Sequence, residues 1–380
     1  MVSSSTLKLR GVWFQIHKWI GILLVALLIP LSLTGSALVW HDGLEKLLYP
    51  QRFVISETDT RLAPSAYAAA AKTQLNAGDR ISAIRFDKDG GPVIVTAVRA
   101  PADGAGAQGR PMRISVWLDP GTARVLDAAD NNGGIIRVLH NLHGSFMIPG
   151  IGRQIVGWLG VAMFLSCLTG LWLWWPTVGR WTKGLRWRRS RDLDTNLHHL
   201  TGFWVAIPLA MLCFTGAWIS FPAFFGKISG ENPNMRDRMA VMRALPLASP
   251  AQNADALLAA AQAEAGKAKL TAIEFPTDKP APWKFGFSGD KPIAFTVDDA
   301  SGAMKADEKS GDQRPAGIAR TMRKWHDGTD MGIIWQAIIF IGGLSPAILG
   351  ITGITMWLRS RKWRGQVAAR QNRPGLAPAE

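Results

Sequence analysis

The sequence predicts a membrane protein in which an all-α domain of four transmembrane helices carries two small α+β domains outside the bilayer. Three observations lead there. Four runs of about 20 apolar residues lie near 20–40, 154–175, 202–222 and 332–358, the length that crosses a hydrocarbon core of about 30 Å. Motifs recur at near-constant offsets along the chain, the mark of an internal duplication, here of a two-helix unit. The net charge of +15 is gathered into three short segments beside the apolar runs.

The duplication rests on two matched motifs. His17-Lys18-Trp19-Ile20-Gly21 opens an apolar run, and Thr34-Gly35 follows seventeen residues after the histidine. His198-His199-Leu200-Thr201-Gly202 opens another, and Thr215-Gly216 follows at the same spacing. His143-Gly144 precedes Leu168-Thr169-Gly170, and His326-Asp327 precedes Ile351-Thr352-Gly353, each threonine twenty-six residues after its histidine. The copies are offset by 181 and 183 residues.

The charge sets the topology. Lys8, Arg10 and Lys18 border the first run, and Arg180, Lys183, Arg186, Arg188, Arg189 and Arg191 fill the short link between the second and third. Arg359, Arg361, Lys362 and Arg364 follow the fourth. Short basic segments face the cytoplasm, so both termini are expected there, with about 43–140 and 225–325 projecting outward. The basic balance is thus topological: the expected partner is the lipid bilayer, and no nucleic acid is expected. The first run is too long for a signal-peptide core and is read as a retained helix.

In order, residues 1–42 form a cytoplasmic lead and helix one, and 43–135 the first outer domain. That domain holds a helix over 64–77, strands over 81–86, 92–98 and 112–118, a Gly-rich hairpin loop near 103–109 and a turn through Asp119–Thr122. Residues 136–176 form helix two with an outer-face lead, 177–197 the basic loop, and 198–222 helix three. The second outer domain, 223–320, repeats the pattern with a helix over 249–266 and strands over 270–275, 283–288 and 292–298. Helix four with its lead takes 321–358, and 359–380 is a cytoplasmic tail. Most of the seventeen tryptophans fall at span ends, an interfacial belt. Cys167 and Cys213 lie inside spans two and three, so there is neither a disulfide framework nor a Cys-x-x-Cys-His for covalent haem.

Topology sorts the seven histidines by side. His17, His198 and His199 fall at the cytoplasmic face, and His41, His140, His143 and His326 at the outer face. Such residues at membrane depth are costly and point to function. Two histidines on facing helices suit the two axial positions of a haem iron. The repeat pairs His17 with His198 on the cytoplasmic side and His143 with His326 on the outer side. Gly21, Gly35, Gly202 and Gly216 are read as room for the macrocycle. His199 and His140 are read as hydrogen-bonded anchors. His41, whose counterpart is Pro222, stands as an alternative outer ligand or a substrate-side residue. Zinc or copper is the rival chemistry, but no carboxylate or cysteine completes a site at recognisable spacing.

The motifs HKWIG…LTG, LHGSF…GIGRQIVGWLG…LTGLWLWWP, HHLTGFW…FTG and WHDGTDMGIIWQ…ITG resemble the PepSY-associated transmembrane family, also described as iron-regulated membrane proteins, over nearly the whole chain. The resemblance is closest to siderophore-reducing members and extends to two PepSY-like outer domains. It implies two b-type haems (iron) ligated by His17, His198, His143 and His326. It further implies a haem-dependent oxidoreductase of the bacterial inner membrane that passes single electrons to ferric siderophores at the periplasmic face. The fourth span ends in ITMWLRSRK where the second has Trp-Trp-Pro, a departure from strict symmetry. No G-x-G-x-x-G stands between a strand and a helix, since GAGAQG at 104–109 falls in the hairpin loop between two strands, and no P-loop is present, so quinol or a cytoplasmic reductase is the expected electron donor. Two alternatives stay open: a haem-free PepSY binding or regulatory module, and a metal or siderophore transporter with a histidine relay. Spans carrying mainly Thr, Ser and Gly at mid-depth argue against the transporter.

Overall fold

The computed structural model describes residues 4–56, 61–87, 90–100, 111–131, 133–175, 182, 185–186, 190–230, 243–279, 281–289, 293–307 and 317–371. The predicted loop at 103–109, most of the basic loop and the end of the tail lie outside these residues. Helices in chain order are α1 (Ser4–Val39), α2 (His41–Leu48), α3 (Pro64–Lys72), α4 (Ile135–Ser145), α5 (Gly152–Trp174), α6 (Leu193–Ser220), α7 (Pro222–Ile228), α8 (Ala254–Ala265), α9 (Ile318–Asp327) and α10 (Gly332–Gln371). Strands β1 (Arg80–Arg85), β2 (Val93–Arg99), β3 (Met112–Leu118) and β4 (Val125–Asp130) lie between α3 and α4. Strands β5 (Lys269–Glu274), β6 (Trp283–Ser288), β7 (Ile293–Val297) and β8 (Met304–Ala306) lie between α8 and α9. Each half of the chain therefore runs through the same order of elements.

The chain separates into a helical unit (Met1–Trp40, Leu139–Phe225, Ala319–Glu380) and a sheet unit (His41–Val138, Gly226–Ile318). In the helical unit α1, α5, α6 and α10 are long and apolar enough to cross a membrane. They form a ring in which each packs on two neighbours, in the order α1, α5, α6, α10, so α1 and α6 stand on a diagonal. Small residues let backbones approach. Gly157 of α5 faces Ser220 and Phe221, Gly160 faces the Cys213 carbonyl, and Gly350 of α10 faces Val25 of α1. Ser32 and Ser36 of α1 donate to the carbonyls of Gly343 and Phe340 on α10. Pro346 cannot supply an N–H to the Gly342 carbonyl one turn back; the Ser345 hydroxyl donates to it instead, at 2.7 Å. Outward, Leu23, Ile207, Ile334 and Trp158 are exposed, a surface suited to lipid and costly in water.

α1 begins well before residue 20 and α10 continues past residue 358, to Gln371. Helix-favouring Leu, Lys, Arg, Gln and Ala there, with no proline after Pro346 up to Gln371, let the backbone bonds propagate beyond the apolar stretch.

The sheet unit is a single antiparallel sheet of eight strands, ordered β4-β3-β2-β1-β5-β6-β7-β8. The stretches 43–135 and 223–320, expected as two domains, thus share one sheet. Their seam is β1 against β5, with Ile84 opposite Ile273. One face of the sheet carries Ile84, Val95, Val116, Ile273 and Phe285 in register, and Tyr67, Ala71, Leu257 and Ala261 from α3 and α8 close over it. Burying each large apolar side chain of this core stabilises the fold by about 1.5–3 kcal/mol. Strands β4 and β8 are absent from the sequence expectation: VLDAAD and MKA lack an apolar alternation. They arise because the turns at Asp119 and Asp298 send the chain back along β3 and β7. In both turns the residue four positions on, Ala123 (φ 55°) or Gly302 (φ 69°), adopts the left-handed conformation and donates its N–H to the aspartate carbonyl.

Candidate functional site

The four histidines of the repeat come together as the spacing pairs them. The rings of His17 on α1 and His198 on α6 have centroids 6.3 Å apart and are nearly perpendicular, at 84°. Those of His143 on α4 and His326 on α9 are 6.1 Å apart and tilted by 35°. Both pairs lie inside the helical unit. Along α1, His17 and the Leu31–Gly35 turn that receives His143 are fourteen to eighteen residues apart, about 21–27 Å at the helical rise.

Each ring is seated on a Thr-Gly pair of another helix. His17 Nδ1 lies 3.1 Å from the Ser166 carbonyl and 3.2 Å from the Thr169 hydroxyl on α5. His198 Nδ1 lies 3.0 Å from the Thr352 hydroxyl on α10, and His326 Nδ1 3.0 Å from the Thr215 hydroxyl on α6. His143 Nδ1 lies 2.9 Å from the Leu31 carbonyl on α1. Thr169, Thr215 and Thr352, the three threonines whose hydroxyls meet a ring, each donate the hydroxyl proton to carbonyls of the preceding turn, so the oxygen faces the imidazole with a lone pair. Carbonyl and occupied hydroxyl alike can only accept from Nδ1–H. This tautomer leaves Nε2 with its lone pair free to bind a metal.

The glycine of each pair lies under a ring. A Cβ on Gly35 would stand 2.5 Å from His143 Cε1; the corresponding distances are 2.9 Å from Gly170 to His17, 3.1 Å from Gly216 to His326, and 3.5 Å from Gly353 to His198. Gly35 and Gly216 thus seat histidines rather than make room beside them. A Cβ on Gly21 would meet nothing, and one on Gly202 only Leu349 at 3.7 Å. The constant spacing marked these pairs in the sequence, but the partner of each lies on another helix and no local signal names it.

A further regularity concerns the halves. His17 sits on α5 and His143 on α1, both within the first half. His198 sits on α10 and His326 on α6, both within the second. Each half seats its own two histidines, and each pair takes one from each half.

The donor set fits an axially ligated haem. An atom bonded at about 2 Å to a nitrogen of each ring sets their centres about 6 Å apart. Among the described residues no group of three or more His, Cys, Asp or Glu is placed to hold a metal ion. Two opposed imidazoles alone suit a metal whose other donors come from elsewhere, as a porphyrin supplies four. His143 and His326 lie outside the four spans. Desolvation lowers the pKa of both, and that of His326 to about 4, where the neighbouring His143 adds to the effect. Both are therefore neutral near pH 7.

A family model, the PepSY-associated TM region, matches residues 14–360. The chain belongs to that family. An uncharacterized protein of Pseudomonas aeruginosa is 40% identical over 70 residues, a stretch that covers 18% of this chain and 17% of the relative, far short of two thirds of its length.

The remaining histidines of this PepSY-associated chain are His199, His140 and His41. His199 meets His198 edge to face at 6.3 Å. His140 is exposed on α4 one turn before His143. His41 opens α2 and lies 3.1 Å from Asp42. Around the His17–His198 pair, charged side chains hold helix ends as the dipole requires. Arg10 donates to the carbonyls of Trp172, Leu173 and Trp175 at the end of α5. Arg359 pairs with Asp192 and Asp194 where α6 begins.

Proposed function

We propose that this PepSY-associated protein is a di-haem b-type oxidoreductase of the bacterial inner membrane that delivers single electrons to ferric siderophores at the periplasmic face. The observation that supports it most is the pair of opposed histidines at each of two levels of the helical unit, every Nδ1 engaged and every Nε2 available. His17 and His198 would hold one haem and His143 and His326 the other through Nε2. When bound, these groups supply reversible one-electron chemistry. The residues of the chain fix the tautomer of the imidazoles and exclude water with the packed helices around them.

The two levels give electrons a route across the bilayer, from quinol or a cytoplasmic reductase to the outer pair. In this reading both termini lie in the cytoplasm, the sheet unit is periplasmic with two PepSY-like halves, and the repeated element order reflects duplication. The substrate is Fe(III) in a siderophore. Its reduction to Fe(II), which oxygen donors hold far less tightly, releases the metal, and it needs neither nucleophile nor general base. The test is a reduced-minus-oxidised absorption spectrum of the detergent-purified protein with haem counted per chain. Sharp b-type bands and about two haems are expected; protein free of haem from haem-replete cells would overturn the proposal.

A further inference from the structure

The four seats follow one pattern and break it once. Three residues before each threonine stand Leu31, Leu212 and Leu349 in three seats, but Ser166 in the fourth. The carbonyl of this position faces the ring in every case where a contact to it is resolved, so leucine offers His Nδ1 only its main chain. Ser166 offers a side-chain oxygen as well. Its hydroxyl is buried and lies 3.2 Å from His17 Nδ1, beside the Ser166 carbonyl at 3.1 Å and the Thr169 hydroxyl at 3.2 Å. Among the described residues, His17 is the one histidine of the four whose Nδ1 faces three oxygens.

Because the carbonyl cannot donate, Nδ1 carries the proton, and the Ser166 oxygen faces it with a lone pair. Further acceptors on the distal N–H draw the proton outward and leave more electron density at Nε2. A more basic axial imidazole favours the oxidised metal and lowers its reduction potential.

We infer that Ser166 is a positioning residue that sets the His17–His198 site to a lower reduction potential than the His143–His326 site. The inference rests on the di-haem reading above. It would give the electron a downhill step from the pair near the basic segments to the pair at the other level, a bias that two identical seats would not supply.

Redox potentiometry of purified full-length Ser166→Ala and Ser166→Thr protein, followed in the haem absorption bands, tests it. The alanine change removes only the hydroxyl, and haem per chain checks that the site still assembles. Wild type should titrate in two waves, and Ser166→Ala should shift upward the wave that His17→Ala abolishes, leaving the other in place. Ser166→Thr, which keeps the hydroxyl, should leave both where they were. The converse variant, Leu31→Ser, should move the other wave downward. Two haems with both midpoints unmoved in Ser166→Ala would overturn this inference and spare the di-haem reading, whereas absence of haem would overturn both.

Discussion

The main-chain oxygen of Leu31 lies 2.9 Å from Nδ1 of His143, and that contact decides which nitrogen of the ring is the Lewis base. A carbonyl can only accept, so the proton stays on Nδ1 and the free lone pair sits on Nε2. The same rule holds at the three threonine seats, and it makes the ligand set testable residue by residue.

Changing His17 or His198 to alanine should leave about one haem per chain, bound at the other level. His143→Ala or His326→Ala should leave the complementary one. His41→Ala should leave both, since His41 lies beside Asp42 at the start of α2. Haem per chain and the difference spectrum of each variant decide the matter. Loss of haem in His41→Ala would reassign a ligand.

The glycines predict a graded series. A methyl on Gly35 would press on the His143 ring at 2.5 Å, whereas on Gly353 it would touch His198 at an ordinary 3.5 Å. Gly35→Ala should cost about 1–3 kcal/mol through overpacking and loosen the His143–His326 site. Gly353→Ala should be close to neutral, with Gly170→Ala and Gly216→Ala between. Thermal unfolding and retention of haem under mild detergent challenge give the order.

Arg52 holds one side of the sheet unit together. It is 7% exposed, pairs with Glu45 at 3.0 Å and Asp127 at 2.6 Å, and stacks on Tyr49 and Trp117 at 4.0 and 3.8 Å. Arg52→Ala removes the stack and strands two carboxylates, and it should cost about 3 kcal/mol. Arg52→Lys should recover only part, because a single ammonium cannot span both acids and lie flat on the rings. The melting temperature of the full-length protein reports both.

Asp119 predicts an acid limit. Burial pushes its carboxyl up, but hydrogen bonds from Ser56 and Thr122 outweigh that and hold it below the usual range. A lowered folded pKa means the stabilisation is fully present above the ordinary carboxylate pKa of about 3.9. It is lost as pH falls through the folded value. Asp119→Asn should lower the melting temperature at pH 7 and flatten its fall between about pH 5 and 3. An unchanged acid slope would assign that loss to other groups.

How much of this was legible follows from how local each signal is. The pairing of His17 with His198 and of His143 with His326 came from spacing repeated across the chain. The four apolar runs came from composition. The seats did not, because Thr169-Gly170 meets His17 only when α1 packs on α5, a contact between residues some 150 positions apart. The β1–β5 seam escaped for the same reason: Ile84 and Ile273 are ordinary strand residues until the two halves meet. Strands β4 and β8 were hidden by their polar, exposed sequences, and the outer reaches of α1 and α10 by a hydropathy rule that follows lipid rather than the helix.

Because each half seats its own histidines while each pair draws on both, one half alone holds a single histidine of each pair. Two copies of such a half, facing one another, would complete both levels at once. On the reading that the repeated element order reflects duplication, a symmetric homodimer of a two-helix unit meets the same requirement as the single chain. Such a dimer would have four seats alike in pairs, whereas one chain can carry Ser166 at one seat and Leu31, Leu212 and Leu349 at the other three.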